Sequence, residues 1–230
     1  MRCLIAIAVL AAAVLLGWPA AAEPSSCATL DGTIETAPIC HVHASGSGYT
    51  LDMRYPVDYP DQQALTDYLS RNRDGFLNVA QASARRNQPY QLDASSEQLS
   101  SGEPPQGTQS VVLKFFQDLG GSRPFTWYKA FNYNLDSKRP ITFDTLFAPD
   151  TTPLDTIFPI VQRDLQHQTP LAGVILPTAG MDPSNYQNFA ITDSDIIFYF
   201  AQGQLLPPFA GASQARVPRS AIPQLALEEI

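Results

Sequence analysis

Residues 40 to 57, "CHVHASGSGYTLDMRYPV", decide how the first half of this chain folds. Apolar and polar side chains alternate on both sides of the central "SGSG", which is the period-2 pattern of a half-buried strand. The glycines suit a tight connection between two strands. We therefore predict a β-hairpin with Cys40 and Val42 facing the core and with His41 and His43 on the outer face.

A four-residue loop would set Val42 opposite Leu51 on the apolar face and His41 opposite Asp52 on the polar face. This register predicts a cross-strand polar pair between His41 and Asp52. The two histidines share a face and could also ligate a metal ion, but two ligands are insufficient and a third would have to come from Asp52 or elsewhere. We expect the plain polar pair, with no metal and no other cofactor.

The chain begins with a segment typical of a secretory leader. Arg2 precedes an apolar run over residues 4–18, and "PAAAEP" then supplies the small residues of a cleavage site. We place the cut between Ala22 and Glu23. The run is shorter than the roughly 20 residues that span a bilayer, and no comparable run follows, so we expect an exported protein without a transmembrane anchor.

The charge of the mature chain limits its partners. Removing residues 1–22 from the 230 leaves 208, and the formal charge falls from −8 to −9 because Arg2 is lost. An acidic chain without a block of Lys or Arg argues against nucleic acid and anionic lipid, since both need clustered positive charge. We expect a protein or cell-envelope partner and a monomeric chain.

The mature chain keeps two cysteines, Cys27 and Cys40, because Cys3 belongs to the leader. In an oxidising compartment, two cysteines with 12 residues between them most simply form one disulfide. A metal site is the weaker interpretation, since the spacing matches none of the usual zinc patterns.

Two segments, residues 64–82 and 151–169, have helical periodicity. Asp61 is available to cap the first. Thr152 suits the N-cap of the second, in a capping-box-like T-x-x-D, whereas Pro159 should bend or break that helix. The apolar faces consist of Leu65, Leu69, Phe76 and Ala80 in the first helix, and of Leu154, Phe158, Val161 and Leu165 in the second.

Three further segments favour strands. Residues 111–119 and 125–135 alternate around a Gly-rich turn, which predicts a second hairpin with its aromatic row facing the core. Residues 196–200 are all apolar, so we expect a central strand covered on both faces. Candidate linkers are the Ser-rich stretch at 95–108 and the junction at 137–140.

Several longer segments resemble the mycobacterial immunogenic secreted proteins of the MPT/MPB type. They include "YPVDYPDQQALTDYL" (residues 55–69), "WYKAFNYNLDSKRPITFDTLF" (127–147) and "NYQNFAITDSDIIFYFAQGQLLPPFAG" (185–211). The similarity covers nearly the whole mature chain. The C-terminal part also resembles the extracytoplasmic domain of RsiV-type anti-sigma factors, whose relatives recognise lysozyme, and the N-terminal part resembles an accessory domain found beside some peptidoglycan deacetylases.

The resemblance implies an α+β fold with twisted antiparallel sheets, two main helices packed against them and β-grasp-like elements. It also implies a disulfide-tied N-terminus and export to the envelope or the medium. We accordingly divide the chain into a signal peptide (1–22), an N-terminal α+β subdomain with the disulfide-tied hairpin (23–136) and a C-terminal RsiV-like subdomain (137–230), the last two packed as one unit.

The sequence assigns no catalytic residue. It contains no G-x-S-x-G, and the nearest string, "ASGSG" at 44–48, lacks the first glycine and precedes a strand instead of a helix. Its histidines are His41, His43 and His167. A triad could still assemble in space from distant residues, and some close mycobacterial relatives carry an esterase description.

Two functions remain from different classes. The first is a secreted, non-catalytic interaction protein of the immunogenic antigen type, extracellular or cell-wall associated, at the envelope or host interface. The alternative is a secreted or cell-wall-associated short-chain carboxylesterase. Fold analogy alone is a weak warrant for either function, so the geometry of a site has to decide.

Overall fold

The computed structural model describes residues 26–82, 88–121, 123–169, 173 and 175–226. The predicted leader and its cleavage point, between Ala22 and Glu23, lie outside these residues. In the described part of the chain, no helix is both long enough and apolar enough to cross a bilayer.

The described strands form two sheets, and the first holds seven strands in sequence order, which we call the large sheet. Its third and fourth strands are parallel, because helix α1 (Gln62–Ala82) crosses between them; the other neighbours are antiparallel. The sheet is therefore mixed, where an antiparallel one was expected. Its strands are β1 (Thr33–Thr36), β2 (Ile39–Gly46), β3 (Tyr49–Pro56), β4 (Tyr90–Ser101), β5 (Thr108–Asp118), β6 (Phe125–Asn134) and β7 (Arg139–Pro140).

The second described sheet, the small sheet, has three antiparallel strands with the apolar segment in the centre, as predicted. Its strands are β8 (Phe189–Ile191), β9 (Asp195–Phe200) and β10 (Ser213–Pro218). The helices of this half are α2 (Phe143–Leu146), α3 (Pro153–Gln168) and α4 (Pro177–Gly180). The fold is α+β.

The layers follow the order helix, large sheet, small sheet, helix. Helix α1 buries Leu65, Leu69 and Phe76 against one face of the large sheet. The opposite face of that sheet packs on the small sheet through a cluster of Val112, Ala130, Ala190, Ile197 and Tyr199. Helix α3 covers the far side of the small sheet. Strand β9 is consequently buried on both faces.

The first hairpin forms with the predicted faces but in a different register. Its loop has two residues instead of four, so His41 lies opposite Arg54 and His43 lies opposite Asp52. Every partner is shifted by two residues, and a shift of two leaves each side chain on its original face because strands have a period of two.

Both predicted helices form. Asp61 caps α1, since its side chain accepts a hydrogen bond from the backbone N–H of Ala64 at 3.4 Å. Thr152 lies at the N-cap of α3 without a side-chain capping bond, so the predicted capping box is absent there. Helix α3 is continuous through Pro159, whose exposed position lets water solvate the carbonyl that loses its donor.

Both candidate linkers were wrong. The Ser-rich stretch contains the end of β4, a 12-residue strand that pairs with β5 from Gln91 to Ser101. Residues 139–140 form β7, which pairs with the end of β6. The large sheet therefore continues past residue 136. The subdomain boundary placed there stays a prediction.

Buried hydrogen bonds join the two sheets. The Ser110 hydroxyl donates to Asn132 Oδ1 at 2.6 Å, and Asn132 Nδ2 donates to the carbonyl of Phe189 at 2.8 Å. The backbone N–H of Ile191 donates to Ser110 Oγ at 3.2 Å. This Ser110–Asn132 network supplies partners for the edge strand β8, which would otherwise bury unpaired backbone groups.

The disulfide joins Cys27 to Cys40, as predicted, and both residues are buried beside the start of the hairpin. Replacing both cysteines with alanine is expected to lower the free energy of unfolding by about 3 kcal/mol, because the bridge restricts the unfolded chain. Urea denaturation of the variant and of reduced wild type checks this, and the two should agree. Equal midpoints for variant and oxidised wild type would contradict the expectation.

Candidate functional site

Charged side chains gather on the outer face of the first hairpin, where we define the histidine cluster as Glu35, His41, His43, Asp52 and Arg54. Strand alternation puts His41 and His43 on one face, and β3 brings Asp52 beside both. His41 Nε2 lies 2.8 Å from Asp52 Oδ2, and His43 Nδ1 lies 3.5 Å from the same oxygen. The His41–Asp52 contact is therefore diagonal across the strands and not directly opposite.

The two other members of the histidine cluster, Glu35 and Arg54, orient His41 and Asp52. Glu35 Oε1 lies 2.7 Å from His41 Nδ1, and the Arg54 guanidinium donates to Asp52 Oδ1. Burial alone would raise the pKa of Asp52, but the hydrogen bond from His41 and the charges of His41 and Arg54 outweigh burial and lower that pKa. Asp52 is thus held as a carboxylate.

A second candidate site is a pocket of about 560 Å³ between α2, the start of α3 and the residues that follow α4, which we call the α2–α3 pocket. Phe143, Phe147 and Leu154 make its floor apolar. The rings of Phe143 and Phe147 pack edge to face with centroids 5.6 Å apart. Met181 lines the rim and is 39% exposed. The volume is typical of ligand pockets.

Three exposed carboxylates line the same pocket: Asp144 in the first turn of α2, Asp150 in the connection and Asp155 in the first turn of α3. None of the ion pairs formed among the described residues involves these carboxylates. The pocket therefore combines an apolar floor with a negative rim.

A smaller cavity of about 250 Å³ lies where the two sheets meet. The rings of Tyr128 and Tyr199 approach to 5.1 Å, and the Tyr199 hydroxyl donates to Glu97 at 3.3 Å. Burial, and then the charge of Glu97, raise the pKa of Tyr128. A raised pKa keeps this phenol protonated at neutral pH, which suits packing between sheets better than base catalysis.

Histidines and serines do not meet in the described part of the chain. His41 and His43 contact carboxylates, and His167 is exposed in the last turn of α3. No hydrogen bond between described residues joins a serine to a histidine, so the Ser–His pair that nucleophilic catalysis requires is not formed among them.

The chain has relatives among known proteins. The chain is 46% identical over 206 residues to immunogenic protein MPT64 of Mycobacterium tuberculosis and to immunogenic protein MPB64 of Mycobacterium bovis, and each alignment covers 90% of both chains. The chain belongs to the MPB64/MPT64 family. It is also 70% identical over 227 residues to Esterase Rv3036c of M. tuberculosis, across 99% of this chain and all of that protein.

The C-terminal half has a second assignment. Residues 144–220 match the family model described as protein of unknown function DUF3298, in the region for which the sequence suggested an RsiV-like part. A solved DUF3298 protein from Pseudomonas aeruginosa has a TM-score of 0.53 and 10% identity, covering 84% of this chain and 97% of its own. This MPB64/MPT64 family member therefore shares its fold with a protein of very low sequence identity.

Sequence reasoning brought together His41, His43 and Asp52 of the histidine cluster, but it missed Glu35, Arg54 and the α2–α3 pocket of this family member. The three predicted residues follow from strand alternation within 18 consecutive residues, whereas Glu35 lies on β1, outside that stretch. The pocket joins residues 143–155 to Met181 and Pro183, and only tertiary packing brings these segments together. The signal available in the sequence was "FDTLFAPDTTPLD", which alternates apolar residues with carboxylates outside any regular period.

Proposed function

We propose that this chain is an exported, non-catalytic binding protein of the immunogenic antigen type, acting outside the cell or at the cell wall. Support comes from the leader-like segment at residues 1–22 and from 46% identity to proteins named immunogenic proteins MPT64 and MPB64. The observation that carries the binding role is the α2–α3 pocket, with its apolar floor and negative rim.

The pocket's chemistry defines its ligand. The floor of Phe143, Phe147 and Leu154 favours an apolar or aromatic side chain. The carboxylates of Asp144 and Asp150 favour Lys or Arg beside that side chain, and the acidic chain as a whole attracts a basic partner. The partner is therefore a basic protein that inserts an apolar residue flanked by positive charges.

Peptide selection tests this role. Immobilised mature chain, residues 23–230, is screened against a displayed peptide library in low salt, and the enriched peptides are titrated by fluorescence anisotropy. We expect enrichment of an apolar or aromatic residue next to Lys or Arg, with affinity that falls as salt screens the charges. Peptides enriched without either feature would contradict the proposal.

A charge placed at the rim should abolish this binding. Met181→Lys removes an exposed apolar contact and puts a positive charge beside the carboxylates, so we expect the selected peptide to bind at least about tenfold more weakly. Leu176→Lys is the matched control, because Leu176 is 68% exposed and does not line the pocket. Equal weakening by both variants would show that binding does not use the pocket.

Ester hydrolysis is the second candidate function, and the observation that favours it is the 70% identity to a protein named Esterase Rv3036c. In that case the apolar floor of the α2–α3 pocket would hold a short acyl chain. Hydrolysis of a chromogenic acyl ester separates the two candidates, since a binding protein gives saturable peptide binding without turnover.

A further inference from the structure

We propose that His41, His43 and Asp52 bind a divalent transition-metal ion, with zinc as the best match. One ligand atom from each of the three residues lies within 4.8 Å of the other two. The structure thus supplies the third ligand that the sequence alone left open. Two imidazoles and one carboxylate are a common zinc donor set, which leaves a fourth position for water or a partner's side chain.

Two of the three distances between ligand atoms can be compared with those around a tetrahedral zinc ion. Zinc binds imidazole nitrogen at about 2.0–2.1 Å and carboxylate oxygen at about 2.0–2.2 Å, so tetrahedral ligands lie roughly 3.4 Å apart. His43 Nδ1 and Asp52 Oδ2 are 3.5 Å apart, which already matches. His41 Nε2 and Asp52 Oδ2 are 2.8 Å apart and need to separate by about half an ångström.

The atoms around the ligands orient them as in metal sites. Glu35 accepts from the Nδ1–H of His41, which turns Nε2 toward Asp52 Oδ2. A proton on Nε2 makes the hydrogen bond to Asp52, and a zinc ion would replace that proton and bind both atoms. A carboxylate behind a ligating histidine is the usual outer partner of a metal site.

The local charge attracts a cation, and the rigid hairpin holds the ligating side chains in position. Glu35 and Asp52 contact the one guanidinium of the cluster, Arg54, and Asp93 on β4 adds a third carboxylate beside Asp52 in the sheet register. The local charge is negative and attracts a cation. The inner face of the hairpin is buried, and the neighbouring Cys40 is tied by the disulfide, which holds the strands in place.

Calorimetric titration with zinc chloride at pH 7.5 tests the proposal, on mature chain expressed without a histidine tag. We expect about one ion per chain. His43→Gln should weaken zinc affinity at least tenfold, because it removes a ligand while changing a side chain that is more than half exposed. Glu35→Gln should weaken affinity by about tenfold through its effect on His41.

The matched control is His167→Gln, which removes the exposed histidine of α3 and should leave zinc affinity unchanged. Cobalt provides an independent readout, since the intense visible absorption of a tetrahedral complex should appear in wild type and be lost in His43→Gln. Absence of zinc binding, or equal affinity in His43→Gln, overturns the proposal and leaves a proton alone between His41 and Asp52.

Discussion

Phe198→Ala is expected to lower the free energy of unfolding by about 3–5 kcal/mol, the cost of deleting a buried aromatic side chain. Phe198 is fully buried in the central strand β9. The rings of Tyr186, Phe143 and Phe189 surround it, with centroids 5.2, 6.2 and 6.1 Å away. Guanidinium denaturation followed by tyrosine and tryptophan fluorescence measures the loss.

Phe209→Ala is the matched control, because Phe209 is 69% exposed and its removal leaves no cavity. We expect a change within about 0.5 kcal/mol. A loss for Phe198→Ala no larger than that for Phe209→Ala would mean that β9 is not the centre of the C-terminal core.

Asn132→Leu should lower the free energy of unfolding by about 3 kcal/mol, because it breaks the Ser110–Asn132 network between the two sheets. The substitution leaves the Ser110 hydroxyl without its acceptor and the Phe189 carbonyl without its donor. Each buried polar group left unpaired costs about 1–3 kcal/mol. The same denaturation experiment checks the value.

A double-mutant cycle with Ser110→Ala separates the network from simple packing. Ser110→Ala also removes the acceptor of the Ile191 N–H, so the two changes should couple, with the double variant less destabilised than the sum of the single ones. Gln98→Leu is the control for replacing an amide side chain with leucine on a strand, because Gln98 of β4 is exposed. Additive losses would indicate that the sheets dock without this network.

Local pattern in the sequence predicted the elements with a strong period. The hairpin, helices α1 and α3 and the second hairpin all have apolar side chains at fixed spacing, and that spacing decides which face is buried. The hairpin register was wrong by two residues because a two-residue and a four-residue loop keep the same faces. Only the loop geometry distinguishes them, and "SGSG" suits both.

Features that depend on residues far apart in the sequence were not predicted. The C-terminal half of β4 was taken for a linker because it is serine-rich, although every residue from Ser95 to Ser101 pairs with β5. Its polar residues are explained by position, since Ser95 and Glu97 lie beside the cavity between the sheets. Strand propensity depends strongly on such neighbours.

The candidate sites differ in the same way. Alternation was enough to place His41 and His43 together, whereas the approach of both side chains to Asp52 depends on the observed register. The α2–α3 pocket forms only where α2 and the start of α3 pack beside Met181 and Pro183, and the aperiodic sequence of residues 143–155 does not predict that contact. Function is therefore argued from the geometry of the sites and not from the fold.

The central claim is that this member of the MPB64/MPT64 family binds without catalysis, and steady-state hydrolysis of 4-nitrophenyl butyrate tests it most directly. We compare mature wild type with a His41→Ala, His43→Ala, His167→Ala triple variant and with heat-inactivated protein. The account predicts the same background rate for all three samples. Saturable turnover in wild type that disappears in the triple variant, or after a single serine substitution, would contradict it.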